Sequence, residues 1–351
     1  LKNTLSHLAG EVAIPLGALA ASAVVFGLIT VGLGQDPFDV YGLIYIGGFG
    51  SWFSWQNTLQ RVAPLLLTAL CAALPAQAGL AVIGGEGAFV LGGLAGVEGA
   101  RLAAGLPAWL DIAATLAFGM LAGALLVGAA GVLRAYRGVN ETISSLLLNY
   151  LAIAVFNQLI EGPLRDVSDV NRASSFPVPD QAMIGSIGDS TVDWGLAIGL
   201  GACGLAWLFV FRTTTGFAMR VAGGNAQAAR VVGIPVAKLI VGACVLGGAM
   251  AGLAGAIETA AVYERASSSL IAGYGFSGIL ISFIARHNPL LVIPAAVLFG
   301  GIGASGGLLQ RRLDLPDAAV TVLQGCTFLL VLMAETWRGR SLHSLFRRSP
   351  S

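Results

Sequence analysis

About ten apolar runs, most of them close to bilayer length, restrict this chain to a small set of folds. They are Val12–Leu33, Val62–Leu80, Gly87–Ala104, Ile112–Leu133, Ile143–Ile160, Leu196–Phe211, Leu239–Val262, a short one at Phe276–Ala285, Leu290–Ile302 and Ala318–Ala334. A helix needs about 20 apolar residues to cross ~30 Å of hydrocarbon. Several runs fall short of that, so eight to ten spans are expected. Hydrocarbon offers no partners to backbone N–H and C=O groups, which leaves only helices and closed barrels as crossing structures. A barrel would show alternating strands of ~10 residues, whereas these runs are continuous and rich in Ala, Leu and Gly. The expected fold class is all-α, a polytopic transmembrane helical bundle. Composition agrees, because 56% of residues are hydrophobic and only 11% charged, against ~25% charged in soluble domains.

The net charge of +1 is too balanced to imply nucleic acid, so its distribution carries the information. Alternating ten spans from an inside N-terminus puts Arg134, Arg137, Arg212, Arg220, Arg230, Lys238, Arg286, Arg338, Arg340, Arg347 and Arg348 on one side, predicted to be cytoplasmic. Asp36, Asp39, Glu161, Asp166, Asp169, Asp180, Asp189 and Asp193 collect on the other. Arg311 and Arg312 fit this alternation badly, and a re-entrant or half-crossing late segment is one way to accommodate them. The first run follows only Lys2, His7 and Glu11, exceeds the length of a signal-peptide core and lacks a convincing cleavage site, so a retained helix is expected.

Metal, redox and nucleotide chemistry find no support. Cys71, Cys203, Cys244 and Cys326 are scattered through apolar runs, and His7, His287 and His343 are isolated from them and from each other. Lys2 and Lys238 are the only lysines, and neither completes a phosphate-binding loop. Neither a cofactor nor a catalytic residue is expected on this chain, and any ATP hydrolysis belongs to another.

Between two apolar runs lies Arg212–Pro235, RTTTGFAMRVAGGNAQAARVVGIP. Asn225 suits an N-cap, Ala226, Ala228 and Ala229 favour helix, Gly233 suits the position after a helix, and Pro235 blocks continuation. A short helix punctuated at both ends is predicted. It is either an ordinary connection or a projection that docks into another protein.

Glycine is about twice its usual ~7%, at 49 of 351 residues. Pairs such as Gly119 with Gly123, Gly128 with Gly131, and Gly248 with Gly252 and Gly255 predict helices in close contact. In AVIGGEGAFVLGG, Ala81–Gly93, five glycines surround Glu86, an ionisable residue that either caps an adjoining helix N-terminus or faces a cavity. Asn140 and Glu141 suit a helix start. Ser145 and Asn149 share a face one turn apart and either bond a neighbouring helix or line a pathway, and Glu258 at the end of another run is open in the same way. Glu161–Trp194, with Pro163, Pro177 and Pro179, is too polar to cross and is expected to form an extracytoplasmic cap.

Taken in order, AVIGGEGAFVLGG, NETISSLLLNYLA from Asn140, TTTGFAMRVAGGNAQAARVVGIP from Thr213, GGAMAGLAGAIE ending at Glu258 and GYGFSGILISFIARHNPLLVIPAAVLFGGI from Gly273 resemble the permease subunits of bacterial ATP-binding-cassette importers. The resemblance is to the ribose/branched-chain amino acid permease superfamily and particularly its nucleoside branch, and it covers most of the chain. It implies one half of a dimeric channel, two pseudo-symmetric helical halves of the type II importer kind, ATPase subunits that bind ATP and Mg, an extracytoplasmic binding lipoprotein and a bacterial plasma-membrane location with both termini cytoplasmic. The longer permease type implies a second, shorter permease as partner. The segment matching Gly223–Gly233 would be the ATPase-coupling helix, with Gly224, Asn225, Ala228, Ala229 and Gly233 as its residues.

The resemblance also implies the organisation of a single permease domain over 1–351. Its parts are a leading helix at 12–33, bundles at 62–160 and 239–334, an outer loop at 161–194, a coupling loop at 212–235 and a basic cytoplasmic tail at 336–351. The breaks around Glu86 and Gly275 each precede a small-residue span, as two related halves would require. One departure concerns substrate. The nucleoside branch commonly reads Asn-Ile-Gly-x-Glu-Gly-Gln where this chain has Val82, Ile83, Gly84, Gly85, Glu86, Gly87 and Ala88, so simple-sugar and riboflavin transport stay open. An ion-coupled transporter would be expected to carry paired carboxylates in its spans, and beyond Glu86 and Glu258 there is little of the kind.

Overall fold

The computed structural model describes residues 2–168, 173–315 and 318–346. The sequence readings at Asp169, Arg347 and Arg348 lie outside them. Among the described residues the chain is almost wholly helical, with isolated bridges but no strand. It divides into two compact units, one of residues 1–58 and 299–351 and one of residues 59–298.

The first unit contains α1 (Lys2–Gly32), α2 (Pro37–Phe49), the later part of α12 (Val292–Leu313) and α13 (Ala318–Phe346). α1 packs along α13. Phe26, Val40, Leu309, Leu315, Val320 and Leu323 form the core of this unit. The buried Thr327 hydroxyl donates to Ser22 Oγ at 3.0 Å, a polar bond between helices of the kind that partly replaces the hydrophobic drive in lipid. Asp36 accepts from the Phe38 N–H and Pro37 occupies the first turn of α2, so the chain stops and restarts with a bend of 117° between α1 and α2.

In the second unit the later part of α3 (Trp52–Gln77) leads into α4 (Gly85–Ala103), α5 (Ala108–Arg137) and α6 (Glu141–Glu161). After an irregular loop come α7 (Gly195–Arg212), α8 (Thr214–Gly224), α9 (Ala226–Val231), α10 (Val236–Glu258) with a π-helical extension Thr259–Tyr263, and α11 (Tyr274–Ile284). α4, α5 and α10 are the most closely packed helices, because glycines meet where they cross. A Cβ on Gly123 or Gly252 would overlap the opposing backbone at Gly248 or Gly119, and one on Gly255 would overlap the Phe89 carbonyl. The loop from 162 to 194 is laid against the far end of α10 by backbone bonds from Ile184 to Ala260, Val178 to Glu264 and Ser175 to Ala266.

Among the described residues six helices are long and apolar enough to cross a membrane, or seven if the bent α1–α2 pair is one span. α4 and α11 fall outside this count, the first because it carries Glu86, Glu98 and Arg101 and the second because it has 11 residues. Arg311 and Arg312 do not lie in a loop after a short span. α12 runs on to Leu313, so they form its last turn, where a positive charge complements the helix dipole. α2 and α8 have no counterpart among the apolar runs. α2 is only 13 residues long, and α8 starts on Thr213, whose hydroxyl accepts from the Gly216 N–H at 3.0 Å.

Candidate functional site

Two features of the second unit combine polar chemistry with an unusual backbone. The first is a joint between two helix starts. α4 begins after Gly84 and α11 after Gly273, and neither glycine has a side chain with which to cap its helix. Their orphan N–H groups are satisfied from elsewhere. The Glu86 carboxylate accepts from the Gly273 N–H at 2.7 Å and from the Gly275 N–H at 2.6 Å, one on each oxygen, and so supplies the missing cap of α11. On α6, Thr142 donates to the Ala81 carbonyl at 2.8 Å, Ser145 Oγ accepts from the Ile83 N–H at 3.0 Å and Asn149 Oδ1 accepts from the Gly87 N–H at 2.6 Å. The spacing 142, 145, 149 puts these three on one face of α6.

Glu86, Ser145 and Asn149 are each at most 1% exposed, which in lipid makes their hydrogen bonds obligatory. The helix dipoles of α4 and α11 both present positive ends here, and one anion serves both. The Gly275 position is closed to any side chain, since a Cβ would strike the Glu86 backbone. Asn149 Nδ2 is buried and has no hydrogen-bond partner among the described residues. Val82 and Ala88 are buried as well, at 4% and 0% exposure, so two apolar side chains lie in the interior beside the joint.

Glu258 takes no part in these bonds. It is buried at the end of α10, with Asp193 and Arg61 as the charged groups around it. Asp193 accepts from the Gly195 N–H at 2.7 Å at the start of α7. Burial pushes its carboxyl above the ordinary range against the opposing pull of that bond.

The second feature is α9. Asn225 Oδ1 accepts from the N–H groups of Gln227 and Ala228, both at 3.0 Å, and Gly233 has the left-handed φ of +85° that ends the helix. α9 is seated on α8 and α10. Ala229 is 0% exposed, so it faces the chain's own interior and seats the helix, leaving no surface for another protein. The outward face is Ala228 with Val231 and Val232, the valines being 89% and 74% exposed. Gly224 and Gly233 are exposed and nothing surrounds them.

A chain of contacts joins the two features. Gly223 at the end of α8 meets Gly79, just beyond α3, backbone to backbone. Gln77 on α3 donates to the His287 carbonyl at 2.8 Å, and Ser282 of α11 bonds the His287 ring at 2.8 Å. α11 is thus held at its start by Glu86 and at its end by Gln77. Sequence reasoning marked the break around Gly275 without pairing it to Glu86, and it missed the roles of Gly273 and Gln77. A signal existed for the glycines, since AGYG before an apolar run reads as a helix start. Nothing local marks Gln77.

Residues 54–332 match the family model described as branched-chain amino acid transport system / permease component. The chain is 30% identical to the glucose ABC transporter permease protein TsgB13 of Haloferax volcanii, over 92% of this chain and 88% of that one. It is 28% identical to the guanosine ABC transporter permease protein NupP of Bacillus subtilis, over 93% of each. A second guanosine permease protein of that organism, NupQ, is 27% identical over 81% of this chain and 91% of its own length.

Proposed function

Because the chain belongs to the permease family of branched-chain amino acid transport systems and is the permease of an ABC importer, we propose that its cargo is a nucleoside or a related ring compound. The observation that carries this reading is the state of the joint's polar groups. Glu86, Ser145 and the Asn149 carbonyl are already engaged with backbone N–H groups, and Val82 and Ala88 are apolar. A path past such walls suits a neutral ring with apolar faces better than a polyhydroxylated sugar, whose many donors and acceptors need partners. The glucose relative keeps sugar as the second reading.

Transport works by alternating access. A binding lipoprotein delivers cargo outside, partner ATPases bind ATP and Mg and close inside, and α9 carries their motion to α8, α3 and α11. Val231, Val232 and Ala228 make the contact, and Asn225, Ala229, Gly224 and Gly233 hold the helix in shape. The existence of two guanosine permease relatives in one organism supports a heterodimer with a second, shorter permease. Ten crossings follow if the bent α1–α2 pair is one span, the stretches 78–103 and 264–284 are each one broken span, half extended and half helical, and the apolar part of α13 crosses as well. Both termini are then cytoplasmic, in a bacterial inner membrane, and the loop 162–194 faces outward.

Uptake of labelled guanosine and glucose by proteoliposomes holding the assembled transporter tests the cargo. Guanosine uptake that excess glucose does not reduce is expected. Saturable glucose uptake without guanosine uptake overturns the reading in favour of sugar.

A further inference from the structure

The unit of residues 1–58 and 299–351 carries an open groove of about 420 Å³ between α2 and the last turn of α12. Phe38, Asp39, Leu43 and Ile46 line it from α2, and Leu308 and Arg312 from α12. The α2 positions fall on one helical face, so the groove follows that helix. Its walls are apolar except for two opposite charges, Asp39 in the first turn of α2 and Arg312 in the last turn of α12. Both are exposed, and no ion pair joins them.

In a multi-pass protein this combination describes a ligand with three parts. Arg312 offers a planar fork of donors suited to a phosphate. Asp39 beside it disfavours a purely anionic headgroup and favours one that also carries a donating cation. Phe38 and Ile46, 84% and 53% exposed, leave an apolar trough open for a hydrocarbon chain. We propose that this groove binds a zwitterionic aminophospholipid, with its phosphate on Arg312, its primary ammonium on Asp39 and an acyl chain along Leu43, Ile46 and Leu308. The charges match a phosphatidylethanolamine. Phosphatidylcholine presents a quaternary ammonium that cannot donate to Asp39, and phosphatidylglycerol presents an anion that Asp39 repels.

Native mass spectrometry of the assembled transporter, delipidated and then offered equal amounts of the three lipids, tests the assignment. Phosphatidylethanolamine is expected to be retained about fivefold over either competitor, the ratio equivalent to ~1 kcal/mol for one interfacial charge contact. Arg312→Gln removes the phosphate partner that all three lipids share and should lower retention of each, most clearly phosphatidylethanolamine. Asp39→Asn should transfer the preference to phosphatidylglycerol, and Ile46→Trp, which fills the trough, should reduce retention of all three. Equal retention of the three lipids, a preference unmoved by Asp39→Asn, or a retention unmoved by Arg312→Gln overturns the proposal. So does shielding of Gly42→Cys from a maleimide by the second permease in delipidated protein, which would assign the groove to a protein partner; Gly42 is exposed, with nothing near its added side chain.

Discussion

Replacing Glu86 by Gln separates a cap from a cargo ligand. The two carboxylate oxygens each accept one glycine N–H, at 2.7 and 2.6 Å. An amide of the same shape keeps one acceptor and turns an NH2 toward the other N–H. Stranding that buried donor costs about 1–3 kcal/mol, and losing the charge at the remaining bond costs about 1 kcal/mol more. The sum is about 2–4 kcal/mol, which for a chain of this size lowers the unfolding temperature by about 3–5 °C. A fluorogenic thiol dye is the assay, because Cys71, Cys203 and Cys244 are buried and label only as the chain opens. Uptake should fall in parallel with stability. Lost uptake at an unchanged unfolding temperature would refute the capping account and make Glu86 a cargo ligand.

Asn149→Ala removes the acceptor of the buried Gly87 N–H and should cost about 1–3 kcal/mol in the same thiol assay. Gly252→Ala places a methyl against the Gly119 carbonyl and should lower the yield of folded protein in detergent more than Gly224→Ala, which meets open space. Ala229→Trp unseats α9 and should leave ATP hydrolysis running without uptake, whereas Val231→Asp with Val232→Asp should weaken capture of the ATPase at unchanged unfolding temperature. At Asp193 the folded-state carboxyl titrates above its unfolded value, so its contribution is present at low pH and lost as pH rises through the folded value. Asp193→Asn keeps an acceptor for Gly195 without a buried charge, and its unfolding temperature should decline less than the native chain's as pH rises from about 4 to about 7, read by tryptophan fluorescence because thiol labelling needs the thiolate.

What the sequence could tell depended on the distance over which each signal acts. The α9 helix was legible because its cap, its alanines and its terminal glycine are neighbours in the chain. The close packing of α4, α5 and α10 was visible as glycine spacing, though not which glycines meet. Glu86 stood out as an ionisable residue at a glycine break, and its two possible roles could not be separated there, because Gly273 and Gly275 lie 187 and 189 residues away. The inward placing of Ala229 was not legible, since helix propensity does not say which face of a short helix looks outward. The ends of α12 were misread because apolarity fades at Ile302 while the helix continues to Leu313.

The joint also dictates an order of events during synthesis. The N–H groups of Ile83 and Gly87 find their acceptors on Ser145 and Asn149, each 62 residues further on. Glu86 waits for glycines about three times as far away. While the ribosome is still making α5, the stretch 81–87 therefore has no partners with which to enter hydrocarbon, and it must remain hydrated inside the insertion machinery. α6 supplies the first set of bonds when it emerges and α11 the second. The first broken span is thus completed by the last third of the chain, and a truncation before Gly273 leaves a buried carboxylate with nothing to hold.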